Sequence, residues 1–201
     1  DRIGLSIPIK HVCNSAATLR FPAMHLDMVR PGLILYGMVP PGCPDAYTDL
    51  QPAMTLKSNL VLVKHVPPDT SISYGRLFTT ERNSVIGTIP IGYADGYSRR
   101  LTHRASVLVR GQRAPVVGRI CMDTCMADLS DLLDANAAKT GDEVVLFGYQ
   151  RFNGQTATIP VDEMAEWLDT INYEVTCLIG KRVPRVYFKD GALEHISNYL
   201  I

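Results

Sequence analysis

The 201-residue chain is 46% hydrophobic, and its twenty basic residues balance its twenty acidic ones. This composition supports a packed core and excludes a disordered chain, while the zero net charge provides no general field that would attract nucleic acid or an anionic membrane surface. No apolar run approaches the ~20 residues that a membrane-spanning helix needs.

The cysteines are odd in number and follow no disulfide-framework spacing, which predicts a reducing compartment, namely the cytoplasm. Cys121 and Cys125 are four residues apart, but no second cysteine pair or histidine pair accompanies them. The sequence therefore predicts no metal site, and we interpret both thiols as small apolar groups in a strand. The start at Asp1, in mid-pattern, suggests a portion of a longer protein.

Residues 1–37 have the pattern of a β/α segment. The apolar run 5–12 predicts a strand, Asn14 and Ser15 are helix-capping residues, and 28–30 is a second apolar piece. From Met38 the chain becomes rich in proline, which neither a helix nor a central strand tolerates. We therefore predict a linker over 38–51.

From residue 52 onward, short β-rich runs alternate with turn residues. The runs are 56–66, 72–74, 85–91, 105–109, 114–117 and 143–147, with hairpin-type turns at 140–142 and 153–154. This pattern predicts an antiparallel barrel or sandwich over 52–201. A helix near the end is indicated by Pro160 in its first turn and by Met164, Trp167, Leu168 and Ile171 at helical spacing.

Two predicted strand ends carry residues suited to an anion. Ser15 opens a helix whose uncovered N–H groups can bind a phosphate, although it can equally be a simple N-cap. Arg30 precedes Pro31 and Gly32, and the glycine would let a ligand approach closely; an isolated arginine is, however, more often a surface ion-pair residue.

Tyrosines stand beside glycines at two strand-to-loop junctions, where a hydroxyl can project into a cleft as an acid–base group. They are Tyr74, in Ser73-Tyr74-Gly75, and Tyr93. Tyr173, at a helix end, is either a core aromatic or a polar group facing a cleft. Most tyrosines only pack, so the residues alone leave both alternatives open.

Six motifs occur in a fixed order along the chain. They are N-S-A-A at 14–17, D-M-V-R-P-G at 27–32, S-Y-G at 73–75, I-G-Y-A-D-G at 91–96, G-R-I-C-M-D at 118–123 and N-Y-E-V at 172–175. Together they closely resemble bacterial alanine racemases, the fold-type III enzymes that use pyridoxal 5'-phosphate. The resemblance extends from about residue 5 to Tyr187 and so covers nearly the whole chain.

The resemblance implies a homodimer that interconverts L- and D-alanine for peptidoglycan, with each active site built from both subunits. It also implies a mainly β fold, in which residues 1–37 are the closing βα piece of a cofactor-binding (β/α)8 barrel and 52–201 form the C-terminal β domain. Inversion at one carbon requires acid–base groups on opposite faces, so one tyrosine cannot suffice.

The resemblance assigns a role to each matching residue. Tyr74 corresponds to the tyrosine base, and Met122 to a methionine that contacts substrate from the partner subunit. Cofactor contacts correspond to Ser15, Gly32, Leu33 and Tyr173 at the phosphate and to Arg30 at the pyridine nitrogen. Residues of the access channel correspond to Tyr93, Arg99 and Arg119.

One expected residue has no counterpart. The cofactor lysine of the family lies in a V-K-A-N-A-Y-G-type segment on an early barrel strand, and none of the lysines here has that context; they are Lys10, Lys57, Lys64, Lys139, Lys181 and Lys189. We therefore expect a C-terminal portion of an alanine racemase that is inactive by itself.

Two alternatives remain open. One is a non-catalytic β domain used for dimerisation or binding, which would have no need to retain Ser15, Arg30, Tyr74 and Met122 together. The other is a racemase for serine or a broader range of amino acids, because an apolar pocket wall discriminates poorly against an added hydroxyl.

Overall fold

Strands dominate the computed structural model, which describes residues 4–43 and 49–200. The strands are β1 Leu56–Asn59, β2 Leu62–Val66, β3 Ser71–Ile72, β4 Phe78–Thr79, β5 Ser84–Ile89, β6 Ser106–Val109, β7 Gln112–Val117, β8 Cys125–Asp128, β9 Glu143–Phe152, β10 Gln155–Ile159, β11 Arg185–Lys189 and β12 Ala192–Ser197. The helices are α1 Ser15–Arg20, α2 Val161–Leu168 and α3 Asn172–Leu178. The expected mainly β fold is confirmed.

Short 3-10 helical turns connect several of these elements. They are Pro22–Met24, Leu33–Tyr36, Tyr74–Arg76, Tyr93–Asp95, Arg99–Leu101 and Ala135–Ala137. None of the helices in the described part of the chain has the length and apolar character needed to span a membrane.

The chain forms two units, Asp1–Met54 and Thr55–Ile201. In the first unit, two segments run parallel: Asp27 N–H donates to the Lys10 carbonyl at 3.1 Å, and Arg30 N–H donates to the Cys13 carbonyl at 2.9 Å. Between them, α1 begins at the predicted cap, because Asn14 Oδ1 accepts a hydrogen bond from Ala17 N–H.

Neither 5–12 nor 28–30 forms a regular strand, so this part of the prediction is wrong. A parallel strand is stabilised by ladders on both sides. In the described residues, the stretch from Lys10 to Cys13 is paired on one side only, and the apolar side chains of Leu5, Ile7 and Ile9 are exposed. The apolar pattern is present, but the neighbours that would complete a ladder are not.

In the second unit, eight strands form one antiparallel sheet in the order β1-β9-β6-β7-β8-β5-β2, with β10 also paired to β9. The two ends of this order, β1 and β2, are consecutive in the chain, so the path of the sheet returns towards its start in the manner of a barrel. Fully buried residues on β6 and β9 show where the core lies. The expected antiparallel β domain is confirmed.

The predicted run 56–66 is interrupted because the chain changes partner within it. β1 pairs with β9, whereas β2 pairs with β5. Between the two strands Leu60 is buried, and its N–H donates to the Asp142 carbonyl at 2.9 Å. Hydrophobicity alone does not reveal a switch of partner inside an apolar run.

The turn at 153–154 is a true hairpin between β9 and β10. Asn153 has φ 48° and Gly154 has φ 77°, as a two-residue type I′ turn requires, so this prediction is confirmed. The turn at 140–142 differs, because it follows the 3-10 turn Ala135–Ala137 rather than a strand, and Gly141 N–H donates to the Leu60 carbonyl.

The predicted terminal helix is confirmed as α2, which buries Val161, Met164 and Leu168 at helical spacing. Burial of each large apolar side chain contributes about 1.5–3 kcal/mol. The helix ends at Leu168, and the next residue, Asp169, has φ 58°, so Ile171 falls outside the helix and precedes α3 instead.

The domain limits 1–37, 38–51 and 52–201 stay a prediction. Part of the proposed linker, 44–48, lies outside the described residues, as do Asp1 and the two residues after it.

Candidate functional site

An open cavity of about 1040 Å³ lies in the second unit. Five of the residues that the sequence analysis selected line it, and they come from three separate segments of the chain: Tyr74, Tyr93, Arg99, Arg119 and Met122. Up to 48 positions separate these residues along the chain, so only the folded sheet brings them together.

Tyr74 is the first residue of the 3-10 turn that follows β3. The run predicted as strand over 72–74 is therefore strand only at Ile72, where β3 ends. β3 is anchored by Ile72, which packs in a buried cluster with Ile86 and Val117 of the main sheet. The tyrosine itself is 71% exposed and lines the cavity. The buried Ile72 therefore anchors the short strand that presents an accessible phenol.

Two backbone hydrogen bonds join the turn that carries Tyr93 to the loop that carries Met122. Tyr93 N–H donates to the Cys121 carbonyl at 3.1 Å, and Ala94 N–H donates to the Met122 carbonyl at 3.0 Å. Asp95, which is buried, closes the same turn by accepting from Gly92 N–H at 2.9 Å. These two walls of the cavity are thus one connected structure.

Arg182 links the same two walls from outside. Its Nη2 lies 2.7 Å from Asp123 Oδ1, and its Nε lies 3.4 Å from Asp95 Oδ1. The hydrogen bond from Arg182 to Asp123 and the charge of Asp95 raise the pKa of this arginine. The sequence analysis did not select Arg182, because its two carboxylate partners lie in separate segments far from it along the chain.

The cavity presents positive charge. Asp123 lines it but is engaged by Arg182, whereas Arg99 and Arg119 form no ion pair within residues 4–43 and 49–200. Two guanidinium groups without a counter-charge suit a ligand that carries a carboxylate or a phosphate.

The two motif cysteines occupy different surroundings. Cys125 lies in β8 and is fully buried, and desolvation raises the pKa of its thiol to about 12. Cys121 lines the cavity, with its Sγ 3.5 Å from Ser73 Oγ. Across the described part of the chain, no cluster of three or more His, Cys, Asp or Glu side chains is arranged to hold a metal ion.

A second group of selected residues lies in the first unit. Ser15 is 4% exposed, and its Oγ accepts a hydrogen bond from Gly32 N–H at 2.9 Å. Leu33 is buried at the start of the following 3-10 turn. Arg30 Nη1 contacts His11 Nδ1, a partner to which the sequence analysis gave no role.

Tyr173 belongs to the second unit but does not line its cavity. It lies in the first turn of α3 and is half-buried. Its carbonyl accepts a hydrogen bond from Thr176 Oγ1 at 3.0 Å.

Comparison with known families identifies both units. The family model "Alanine racemase, C-terminal domain" matches residues 53–187, and "Alanine racemase, N-terminal domain" matches residues 1–40. Enzymes of this family use pyridoxal phosphate.

Among curated relatives, the alanine racemase of Desulfovibrio desulfuricans is 55% identical over 185 residues, which cover 92% of this chain and 47% of the relative. Alanine racemase 1 of Clostridium acetobutylicum is 49% identical over 198 residues, with 98% and 50% covered. The chain thus spans about half the length of the curated relatives it matches.

Solved structures agree. The alanine racemase of Clostridium difficile 630 in complex with cycloserine superposes with a TM-score of 0.88 at 43% identity, covering 100% of this chain and 51% of that one. The alanine racemase of Bacillus anthracis with bound L-Ala-P gives 0.87 at 36% identity, covering 99% and 50%. The chain belongs to the alanine racemase family.

Proposed function

We propose that the protein to which this chain belongs interconverts L- and D-alanine with pyridoxal 5'-phosphate, and that this chain supplies Tyr74 as one of the two acid–base groups. The observation that carries this proposal is the positively charged cavity that Tyr74 shares with Tyr93, Arg99, Arg119 and Met122. A site that only stabilised the fold would have no need of an exposed phenol in the same cavity as two arginines that form no ion pair among the described residues.

Tyr74 would take a proton from, or return one to, one face of the α-carbon through its hydroxyl oxygen. Racemisation needs a second group on the other face. In the family this is the lysine of the V-K-A-N-A-Y-G-type segment, which the present sequence does not contain. Met122, in the lining of the same cavity, would restrict the space for the substrate side chain, and Tyr93, Arg99 and Arg119 would form the access channel.

The first unit fits the cofactor. Because Ser15 Oγ already accepts from Gly32 N–H, its own hydrogen is free for a phosphate oxygen, and within the described residues Leu33 N–H donates to no other group. Arg30 has only donors to offer, so it would face a ring nitrogen that accepts. We assign a further phosphate contact to Tyr173.

When bound, pyridoxal phosphate supplies an electron sink for the α-carbon. An arginine at the ring nitrogen does not readily give up its proton, so it leaves that nitrogen unprotonated. The sink is weaker as a result, which suits proton exchange without side reactions.

We further propose a cytoplasmic homodimer in which Tyr74 and Met122 of one subunit serve the cofactor held by the other. Both side chains are exposed beside an open cavity, which leaves them accessible to a second subunit. The partner would thereby close a site that the 201 residues leave open.

The decisive test is Tyr74→Phe in enzyme reconstituted by co-expressing this chain with the other half of a related alanine racemase. Loss of one acid–base group should lower kcat by about 10²–10⁴-fold. Tyr149→Phe is the matched control, because Tyr149 is also exposed but lies on β9, outside the cavity. Equal rates for the two variants would refute the role of Tyr74.

L-alanine and L-serine should be assayed side by side, because pocket size decides between them. The chain alone should give no racemisation, and no visible absorbance should survive gel filtration after incubation with pyridoxal phosphate. A retained band that borohydride abolishes would show that one of the lysines here binds the cofactor after all.

A further inference from the structure

Ser73, the residue before Tyr74, has a backbone conformation that is unusual for an L-amino acid. Its φ is 64° and its ψ is −175°, a region that essentially only glycine occupies. Such strain persists only where surrounding contacts impose it. The strained residue therefore directly precedes Tyr74, whose exposed phenol is the group proposed to move a proton.

The contacts that impose this conformation come from the segment after β7. Ser73 Oγ donates a hydrogen bond to the Arg119 carbonyl at 2.7 Å. Beside it, Gly118 has φ 67°, and a Cβ built on Gly118 would lie 2.8 Å from Ser73 Cβ and 2.8 Å from the Ile72 carbonyl oxygen. The two backbones are therefore in direct contact, and residue 118 has no room for a side chain.

Arg119 contacts the residues on both sides of Tyr74. Its carbonyl accepts from the Ser73 hydroxyl, while its guanidinium lies over Gly75, 3.3 Å from the position that a Cβ there would occupy. Ile72, in turn, is fixed in the buried cluster beneath β3. Tyr74 is thus held from the residue before it and from the residue after it.

We propose that Ser73 is a positioning residue: its hydroxyl, by donating to the Arg119 carbonyl, holds the strained backbone before Tyr74 and so fixes the direction of Tyr74 in the cavity. Glycine at this position would tolerate the conformation but lose the hydrogen bond, and alanine would lose the bond and keep the strain. Serine alone of the three holds the loop in place. This inference rests on the proposed function, in which Tyr74 transfers a proton.

The test compares Ser73→Ala and Ser73→Gly in the 201-residue chain, with Ser71→Ala as control. Ser71 is an exposed serine of the same short strand, with no side-chain hydrogen bond among the described residues. The readouts are amide ¹⁵N relaxation at Tyr74 and the ring signals of ¹³C-labelled tyrosine, assigned with Tyr74→Phe.

In the unchanged chain and in Ser71→Ala we expect a Tyr74 order parameter near the rigid value of about 0.85. Both Ser73 variants should fall below about 0.6 and shift the Tyr74 ring signals. Ser73→Gly should also melt at a higher temperature than Ser73→Ala, because it alone relieves the strain. Tyr74 signals and order that match the control in both Ser73 variants would overturn the proposal.

If Ser73→Ala does not fold, Ser73→Gly still decides the question, because glycine adopts this backbone without strain. In the reconstituted enzyme, Ser73→Gly should lower kcat by about 10- to 100-fold with little change in KM, as misplacement of a catalytic group does. Full activity of Tyr74→Phe would overturn the proposed function, whereas unchanged order at Tyr74 would overturn the positioning role, so the two failures are distinguishable.

Discussion

Tyr97 and Cys125 are ionisable side chains that the proposed chemistry does not use. Tyr97 is 1% exposed, and its hydroxyl has no hydrogen-bond partner in the described part of the chain; Cys125 is 0% exposed. Desolvation raises the pKa of Cys125 to about 12 and the pKa of Tyr97 well above its ordinary value. Both groups therefore stay neutral at physiological pH and pack as apolar side chains.

The raised pKa of Cys125 makes the fold sensitive to alkali. Between pH 9 and about 12 the unfolded chain has lost this proton while the folded chain still binds it. Stability must fall with rising pH wherever the folded state binds more protons, by about 1.4 kcal/mol per pH unit for one group. Cys125→Ala should remove that contribution, as measured by urea unfolding from pH 8 to pH 11.

Cys177→Ala is the control for this measurement, because Cys177 is exposed. Its stability should follow the pH dependence of the unchanged chain, while the curve of Cys125→Ala should be flatter above pH 9. Burial raises the pKa of Tyr97 as well, so the stability of Cys125→Ala should still fall somewhat as the pH rises. Parallel curves for all three proteins would contradict the assignment of a raised pKa to the Cys125 thiol.

At the scale of elements, two loops that line the cavity are joined by ion pairs to one arginine. Arg182 joins Asp123, next to Met122, to Asp95, two residues after Tyr93. We predict that Arg182→Gln frees the Asp123 carboxylate and shifts the amide and methyl NMR signals of Tyr93 and Met122. The midpoint of thermal unfolding should fall only slightly, because the ion pair with Asp123 is exposed and contributes weakly, and the buried Asp95 carboxylate keeps its hydrogen bond from Gly92 N–H.

Arg82→Gln provides the comparison, because Arg82 forms an exposed ion pair with Asp131 away from the lining of the cavity. It should leave the Tyr93 and Met122 signals in place. Arg182→Lys should restore them only in part, since an ammonium group cannot span two carboxylates as a guanidinium does. If Arg182→Gln and Arg82→Gln gave the same spectrum around the cavity, Arg182 would have no role in holding these loops.

Elements whose formation depends mainly on residues close together in the sequence could be predicted. The hairpin at Asn153 and Gly154 follows from turn chemistry, and α2 follows from its apolar spacing. The strand expected over 5–12 did not form, because a strand also requires partners that local pattern cannot supply.

The residues of the candidate site also fall into those that the sequence predicts and those that only the structure reveals. Tyr74, Tyr93 and Met122 were found through motifs, each of which is a short continuous stretch. Ser73 and Arg182 were missed as functional residues because their importance lies in contacts across 46 and 59 positions of the chain, which no local pattern records.

At the scale of the whole molecule, the two units differ in how much they bury. Among the described residues of the first unit, the buried hydrophobic side chains are Cys13, Leu33 and Met38, while Leu5 and Leu35 are exposed. The second unit contains the eight-stranded sheet with its buried core and the buried face of α2. Ordering each residue costs about 1–2 kcal/mol of conformational entropy, which a few buried side chains cannot offset.

We therefore predict that residues 52–201 fold alone, whereas residues 1–54 alone do not. The larger fragment should unfold in one cooperative urea transition, and its ¹H–¹⁵N spectrum should superpose on the signals of the same residues in the 201-residue chain. The peptide 1–54 should show the narrow dispersion of an unfolded chain, because its apolar side chains have too few partners to bury them. An unfolded 52–201 fragment would mean that the β domain draws its stability from the first unit, and that the boundary proposed near residue 52 does not separate independent domains.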